Sequence, residues 1–206
     1  ANTRKFYIDN GINICEGYGC SETSPMVSVN HMIAPRDIES VGKIMNNVEV
    51  DILDDEIYVS GPNVMRGYWN QQEASNEVLI EKDNKIWYKT GDLGYVSDNY
   101  IYYQGRKNDN YKLSNGKFVN VLNVENCIKP YLKSNFIIYG DNMEYNILIS
   151  DEIINKSLLD KINSQLESYL KIKSTYILDK NIMSKFLTPK MSIKRKALIN
   201  YYKQNN

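Results

Sequence analysis

A chain of 206 residues suits one large domain or two small ones, and either can bury a core. Its 42% hydrophobic and 24% charged residues are those of an ordinary globular protein, and 25 basic residues offset 25 acidic ones. That balance gives no electrostatic basis for binding nucleic acid or an anionic membrane surface.

Residue types narrow the field further. Cys15, Cys20 and Cys127 are odd in number and form no C-x-x-C pair. Neither a disulfide framework nor a zinc site is expected, and a reducing, cytoplasmic setting is. His31 is the only histidine, which argues against a histidine metal cluster or a Ser-His-Asp triad. No run approaches the ~18 apolar residues needed to span a bilayer, and no signal peptide is visible. Lys greatly outnumbers Arg, and Asn, Ile and Tyr are abundant, the pattern of an AT-rich genome. Against that drift the five arginines, Arg4, Arg36, Arg66, Arg106 and Arg195, stand out.

In chain order, Phe6 to Asn10 reads as the end of a helix capped by Gly11. Ile12 to Glu16 alternates like a buried strand, and Gly17 to Ser28 reads as a loop. Val48 to Leu53 and Glu56 to Val59 alternate about an Asp54-Asp55 turn, which predicts a hairpin. Gln71 to Ile80 fits a short helix. Ile86–Tyr88, Leu93–Val96 and Tyr100–Gln104 read as three short strands with polar turns between them. The pattern changes near Gly105. Val121 to Leu132 fits a helix, and Phe136–Tyr139 with Tyr145–Ile149 fits a second hairpin turning at Gly140. Ile153 to Leu170 carries an apolar helical stripe, and Thr175 to Leu178 is a further strand. The expected class is α+β: a β-rich part over 1–105, then a small α+β domain over 106–206.

Three segments carry groups suited to chemistry. In Glu16-Gly17-Tyr18-Gly19-Cys20-Ser21-Glu22-Thr23, glycines permit close backbone approach, and Tyr18 offers a flat face on which a base can stack. The Ser21 hydroxyl can bind a phosphate oxygen and the Glu22 carboxylate can hold Mg²⁺ beside it. A glycine-rich turn around a buried tyrosine is the plain alternative. In Tyr88-Lys89-Thr90-Gly91-Asp92, the Asp92 carboxylate has two oxygens for a ribose diol, or it serves only an Asx-type turn. Gly105-Arg106-Lys107-Asn108-Asp109 lies where the composition changes, as a linker would.

Together, and in this order, these segments resemble the motifs of the adenylate-forming superfamily of acyl-CoA synthetases, luciferase and peptide-synthetase adenylation domains. Tyr18-Gly19-Cys20-Ser21-Glu22 resembles Y-G-x-T-E, and Gly61-Pro62-Asn63-Val64-Met65-Arg66-Gly67-Tyr68 resembles G-P-x-V-x-x-G-Y. Tyr88 to Asp92 resembles Y-[RK]-T-G-D, and Gly105 to Asp109 resembles G-R-x-[KD]-D. Val41-Gly42-Lys43 and Val48-Glu49-Val50 resemble a further stretch, without the prolines usual between them. Lys112 to Asn120 and Phe186 to Arg195 look like the long-chain fatty-acid branch.

The resemblance implies an AMP-forming ligase that joins a fatty acid to CoA through an acyl-AMP, with ATP and Mg²⁺, and no nucleic-acid partner. It implies that 1–105 is the C-terminal part of the large AMP-binding domain and 106–206 a mobile C-terminal domain, hinged near Asn108. The phosphate loop and most of the acid pocket would lie upstream, so the chain alone would not turn over. By motif, Tyr18 would stack on adenine and Gly19 beside it would belong to the nucleotide site, Ser21 would contact the α-phosphate, Glu22 would hold the metal, Asp92 would bind the ribose hydroxyls, and Arg106 would contact ribose and phosphate. Lys112 and Gly116 would serve the thioester-forming state. Lys194 would be the catalytic lysine, although a register two residues earlier puts Ser192 there. Ser21 for Thr keeps the hydroxyl, while Asn108 replaces the usual Lys or Asp. Those departures leave open a non-catalytic nucleotide-binding relative, and the acceptor could be a carrier protein instead of CoA.

Overall fold

The computed structural model describes residues 2–31 and 37–206, with side chains from Lys5 onward. Arg36 and the side chain of Arg4 lie outside the described residues. The chain divides into two compact units, Ala1–Lys107 and Asn108–Asn206.

The first unit opens with helix α1, Asn2–Asp9. Gly11 ends it at φ +73°, where the Gly11 and Ile12 amides reach back to Ile8 and Tyr7. This double closure satisfies helix carbonyls that would otherwise be orphaned. No strand forms over Ile12–Glu16, where Ile12 is half exposed, contrary to the alternating pattern. Alternation marks a strand only where a ladder partner lies alongside, and pairing here begins with β1, Gly17–Tyr18, against β2, Ser28–Val29.

The sheet continues through β3, Lys43–Ile44, β4, Glu49–Leu53, and β5, Glu56–Ser60. Helix α2, Gln72–Val78, leads into β6, Leu79–Lys82, so the expected helix stops two residues before Ile80. Strands β7, Lys85–Ser97, and β8, Tyr100–Arg106, complete it. The order is β1-β2-β3-β8-β7-β5-β4, with β6 also on β7, and every pair is antiparallel. Three two-residue turns, Asp54-Asp55, Asp83-Asn84 and Asp98-Asn99, have positive φ at both positions. Such turns match the twist of the strands they join, and Asp and Asn tolerate that conformation. Val27, Ile57, Val59 and Ile101 are fully buried at the centre of this unit.

The sequence reading separates Ile86–Tyr88 from Leu93–Val96, yet β7 runs through both. Thr90-Gly91-Asp92 is a bulge inside one strand, not a turn between two. Lys89 pairs with Tyr58 and Leu93 with Glu56, so three residues of β7 face Ile57 alone. Gly91 carries φ +70°, which a side chain would disfavour.

In the second unit, β9, Tyr111–Lys112, pairs with β10, Phe118–Val119. Helix α3, Val121–Ile128, is capped by the Asn120 side chain and stops short of the expected Leu132, since Pro130 follows. Strands β11, Phe136–Tyr139, and β12, Asn146–Ser150, form the expected hairpin, and β13, Ile172–Ile177, lies parallel to β12. Between them α4 covers only Lys156–Asn163 of the predicted Ile153–Leu170 helix. The Asn163 amide exchanges two hydrogen bonds, 2.9 and 2.8 Å, with the backbone of Ile172 and so ends the helix at the first residue of β13. Leu166, Tyr169 and Leu170 still reach the core. Helices α5, Lys180–Ser184, and α6, Arg195–Gln204, lie in a region the sequence reading leaves unassigned.

Alternation along β11 and β12 sends Ile138 and Leu148 to one face, against Val124, Ile128 and Ile162 of α3 and α4. Ile137, Ile147 and Ile149 go to the other face, against Met183 and Leu198 of α5 and α6. A sheet covered on both faces explains why these strands are apolar throughout. The architecture is α+β, a β-rich unit followed by a small mixed one.

Candidate functional site

The first unit brings Tyr18, Asp92 and Arg106 together. Arg106 on β8 is the direct cross-strand partner of Asp92 on β7. Its Nε lies 2.9 Å from Asp92 Oδ1, and its Nη1 donates to the Thr90 carbonyl at 3.1 Å. The Tyr18 hydroxyl donates to Asp92 Oδ2 at 2.7 Å. Asp92 is only 6% exposed, whereas the guanidinium of Arg106 is half exposed. Burial raises the Asp92 carboxyl above its ordinary range, against the lowering effects of the Tyr18 hydrogen bond and the Arg106 charge. Burial also raises the Tyr18 phenol, helped by the neighbouring carboxylate, so Tyr18 keeps its proton as donor.

The loop after Tyr18 is fixed by three devices. A Cβ on Gly19 would stand 1.7 Å from the Pro25 carbonyl oxygen. Glycine is therefore required by the loop's own packing, a role that a ligand-facing reading of Gly19 misses. Ser21, Glu22 and Thr23 form one 3₁₀ turn in which buried Thr23 bonds the Cys20 amide and carbonyl through its hydroxyl. Ser21 stands exposed on this turn.

The Gly61–Tyr68 segment supplies the third device. Asn63 Nδ2 donates to the carbonyls of Thr23 and Met26, and the Met65 amide donates to the Glu22 carbonyl at 2.8 Å. The Tyr68 hydroxyl donates to Glu22 Oε1 at 2.8 Å. Burial tends to raise the Glu22 carboxyl. Its own amide and the Tyr68 hydroxyl win, and they hold it below the usual range. Glu22 is thus an anion held in one place. Among the described residues no group of three His, Cys, Asp or Glu side chains could hold a metal alone.

The remaining predicted residues lie in the second unit. Lys112 is exposed on β9, and Gly116 sits at φ +80° in the turn to β10, with open space where a side chain would be. Lys194 is exposed at the N-cap of α6, and its amide donates to the Phe186 carbonyl. Ser192 follows Met191, a non-glycine residue at φ +61°, in the turn before it. Lys129, Lys194, Arg195 and Lys196 border an open cavity of about 910 Å³. Asn108 lies in a 3₁₀ turn, Lys107–Asp109.

Residues 1–69 match the family described as AMP-binding enzyme. A long-chain-fatty-acid–CoA ligase of Mycobacterium bovis is 35% identical over 139 residues, which are 66% of this chain and 22% of that protein. Over these residues the chain is similar to AMP-binding, adenylate-forming enzymes. A chloroplast long-chain-fatty-acid–[acyl-carrier-protein] ligase of Arabidopsis thaliana aligns with 97% of this chain at 25% identity, over 33% of its own length. The chain thus spans about a fifth to a third of these relatives. An O-succinylbenzoate–CoA synthetase of Bacillus subtilis, solved with ATP and magnesium, has a similar fold. Its TM-score is 0.69 and its identity 23%, covering 85% of this chain and 40% of the other. Among the described residues no helix is long and apolar enough to cross a membrane.

Proposed function

We propose that this chain supplies the ribose- and phosphate-facing part of an AMP-forming acyl-CoA synthetase that acts on long-chain fatty acids. The reading rests above all on the Tyr18–Asp92–Arg106 cluster. A buried carboxylate that a bulge turns toward a tyrosine, beside a half-exposed guanidinium, suits a nucleotide. Asp92 accepts the two ribose hydroxyls through its two oxygens. Arg106 reaches from ribose to phosphate, for which its planar fork of donors is suited. The Tyr18 ring gives adenine a face, and Ser21 donates to the α-phosphate.

Glu22 fits magnesium, since it is ionised and held by Tyr68. Among the described residues no group of three His, Cys, Asp or Glu side chains completes a cage, so the other ligands would be phosphate oxygens and water, as is usual for this cation. Magnesium, when bound, offsets charge on the phosphates as pyrophosphate leaves. Lys194 adds a cation for the same charge. The acid becomes a mixed anhydride with AMP, and a thiol then displaces AMP. The fatty-acid substrate is suggested by the names of the relatives, and CoA as acceptor by the mycobacterial one.

Calorimetric titration of the chain with AMP tests the nucleotide reading. Saturable binding lost in Asp92→Ala is expected, and equal heats from both proteins would overturn it. Pyrophosphate release by a full-length protein carrying this chain, with ATP, palmitate and CoA, tests the substrate assignment.

A further inference from the structure

We propose that Glu56, which none of the motifs above includes, is the positioning residue that braces the Asp92–Arg106 pair. The proposal rests on the reading of Asp92 as the ribose-binding carboxylate. Glu56 is 3% exposed, and a buried carboxylate is costly unless both oxygens find partners. Each does, one on β7 and the other just past the end of β8. Oε1 accepts the Gly91 amide at 3.1 Å, and Oε2 takes the Lys107 ammonium at 2.6 Å. Gly91 immediately precedes Asp92, and Lys107 immediately follows Arg106. One side chain therefore holds the two strands on either side of the pair.

The bulge explains why a side chain is needed. Three residues face Ile57, so regular ladder bonds are not available to all of them. The Thr90 hydroxyl donates to the Ile57 carbonyl at 2.7 Å and accepts the Asp92 amide at 3.0 Å. The Gly94 amide resumes the pairing on Asp55. Between these anchors the Gly91 amide is turned by its positive φ toward Glu56. An apolar residue at position 56 would leave that partly buried donor unmet, which is costly. A glutamine would accept from Gly91 but lose the charge that holds Lys107.

The test measures the affinity of the 206-residue chain for AMP relative to 2′,3′-dideoxy-AMP, which lacks both ribose hydroxyls. The ratio reports Asp92 placement and is insensitive to a general loss of stability. In the unaltered chain AMP is expected to bind at least about 10-fold more tightly, the effect of hydrogen bonds to a charged acceptor. Glu56→Ala is expected to bring the ratio close to one. Glu56→Gln, which keeps the acceptor for Gly91, should lower it by about 3-fold, and so lie between the two. An unchanged ratio in either variant overturns the proposal. If Glu56→Ala does not fold, Glu56→Gln decides alone. Asp92→Ala separates this failure from that of the underlying reading, because a wild-type ratio there would remove Asp92 from the ribose whatever Glu56 does.

Discussion

Tyr18 and Asp92, 74 positions apart in sequence, share a 2.7 Å hydrogen bond that occupies one of the two carboxylate oxygens proposed for the ribose. A nucleotide must therefore displace the phenol hydroxyl or share its acceptor. Tyr18→Phe keeps the ring and removes the competitor. The net value of such a bond is about 1 kcal/mol, so AMP affinity is expected to rise by about 2- to 5-fold. Tyr18→Ala loses the ring as well, and stacking on an aromatic side chain is worth roughly 1–3 kcal/mol per base, so affinity should fall by about 10-fold or more. Calorimetry on both variants checks the pair, and a drop in Tyr18→Phe as large as in Tyr18→Ala would mean the hydroxyl itself serves the nucleotide.

Asp92 also bears on stability. Burial keeps its folded pKa above 3.8, its ordinary value. Between 3.8 and the raised value the folded chain binds more protons than the unfolded chain, so this group's contribution to stability falls as pH rises through that window. Above the folded pKa the penalty is complete. Asp92→Asn removes the charge and should raise the melting temperature at pH 7 while weakening AMP binding. The gain should shrink as pH is lowered through the window. Melting curves from pH 3 to pH 8 read this directly, and a lower melting temperature for Asp92→Asn at pH 7 would contradict it.

The motifs marked the residues of this cluster because side-chain type and order along the chain are enough to suggest a ligand. They could not show how those residues are held. Thr90-Gly91-Asp92 reads as a turn because Gly and Asp favour turns, and only the pairing of Lys89 with Tyr58 and Leu93 with Glu56 shows a bulge within one strand. Glu56 was hidden for the same reason. In a period-two strand it reads as an outward polar residue, and its burial depends on Gly91 and Lys107, 35 and 51 positions away. The long helix expected from Ile153 failed differently: the apolar spacing was real, but the Asn163 side chain pairs with Ile172 and stops the helix. Local periodicity carries no information about such a partner.

Tyr68 gives a third prediction. Its hydroxyl orients Glu22 at 2.8 Å, from a segment whose other bonds hold the Glu22 backbone. Tyr68→Phe removes one bond to a carboxylate and leaves the ring and the Met65 amide contact in place. Affinity for ATP in the presence of magnesium should fall by about 10-fold, in line with about 1.5 kcal/mol for a hydrogen bond to a charged group. Affinity for AMP without magnesium should be unchanged. Equal losses for both ligands would show that Tyr68 shapes the whole loop and does not act on Glu22 alone.

The proposed catalytic lysine admits a decisive comparison. Lys194 is the N-cap of α6, exposed, and followed by Arg195, whose guanidinium binds Glu125 at 2.6 Å and the Ile138 carbonyl at 3.1 Å. That anchoring fixes the start of α6 and with it the backbone that carries Lys194. Lys194→Ala in a full-length protein carrying this chain is expected to slow pyrophosphate release by about 10²–10³-fold, by analogy with loss of one preorganised donor to a developing anion. Thioester formation from supplied acyl-AMP should fall far less, because the phosphate charge has by then already formed. Lys190→Ala and Lys196→Ala are the controls for register and should change either step by less than about 3-fold, as exposed cations screened by solvent. If instead the register lies two residues earlier, Lys194→Ala has no effect and Ser192→Lys raises the rate. Loss of adenylation in Lys190→Ala alone would refute both registers.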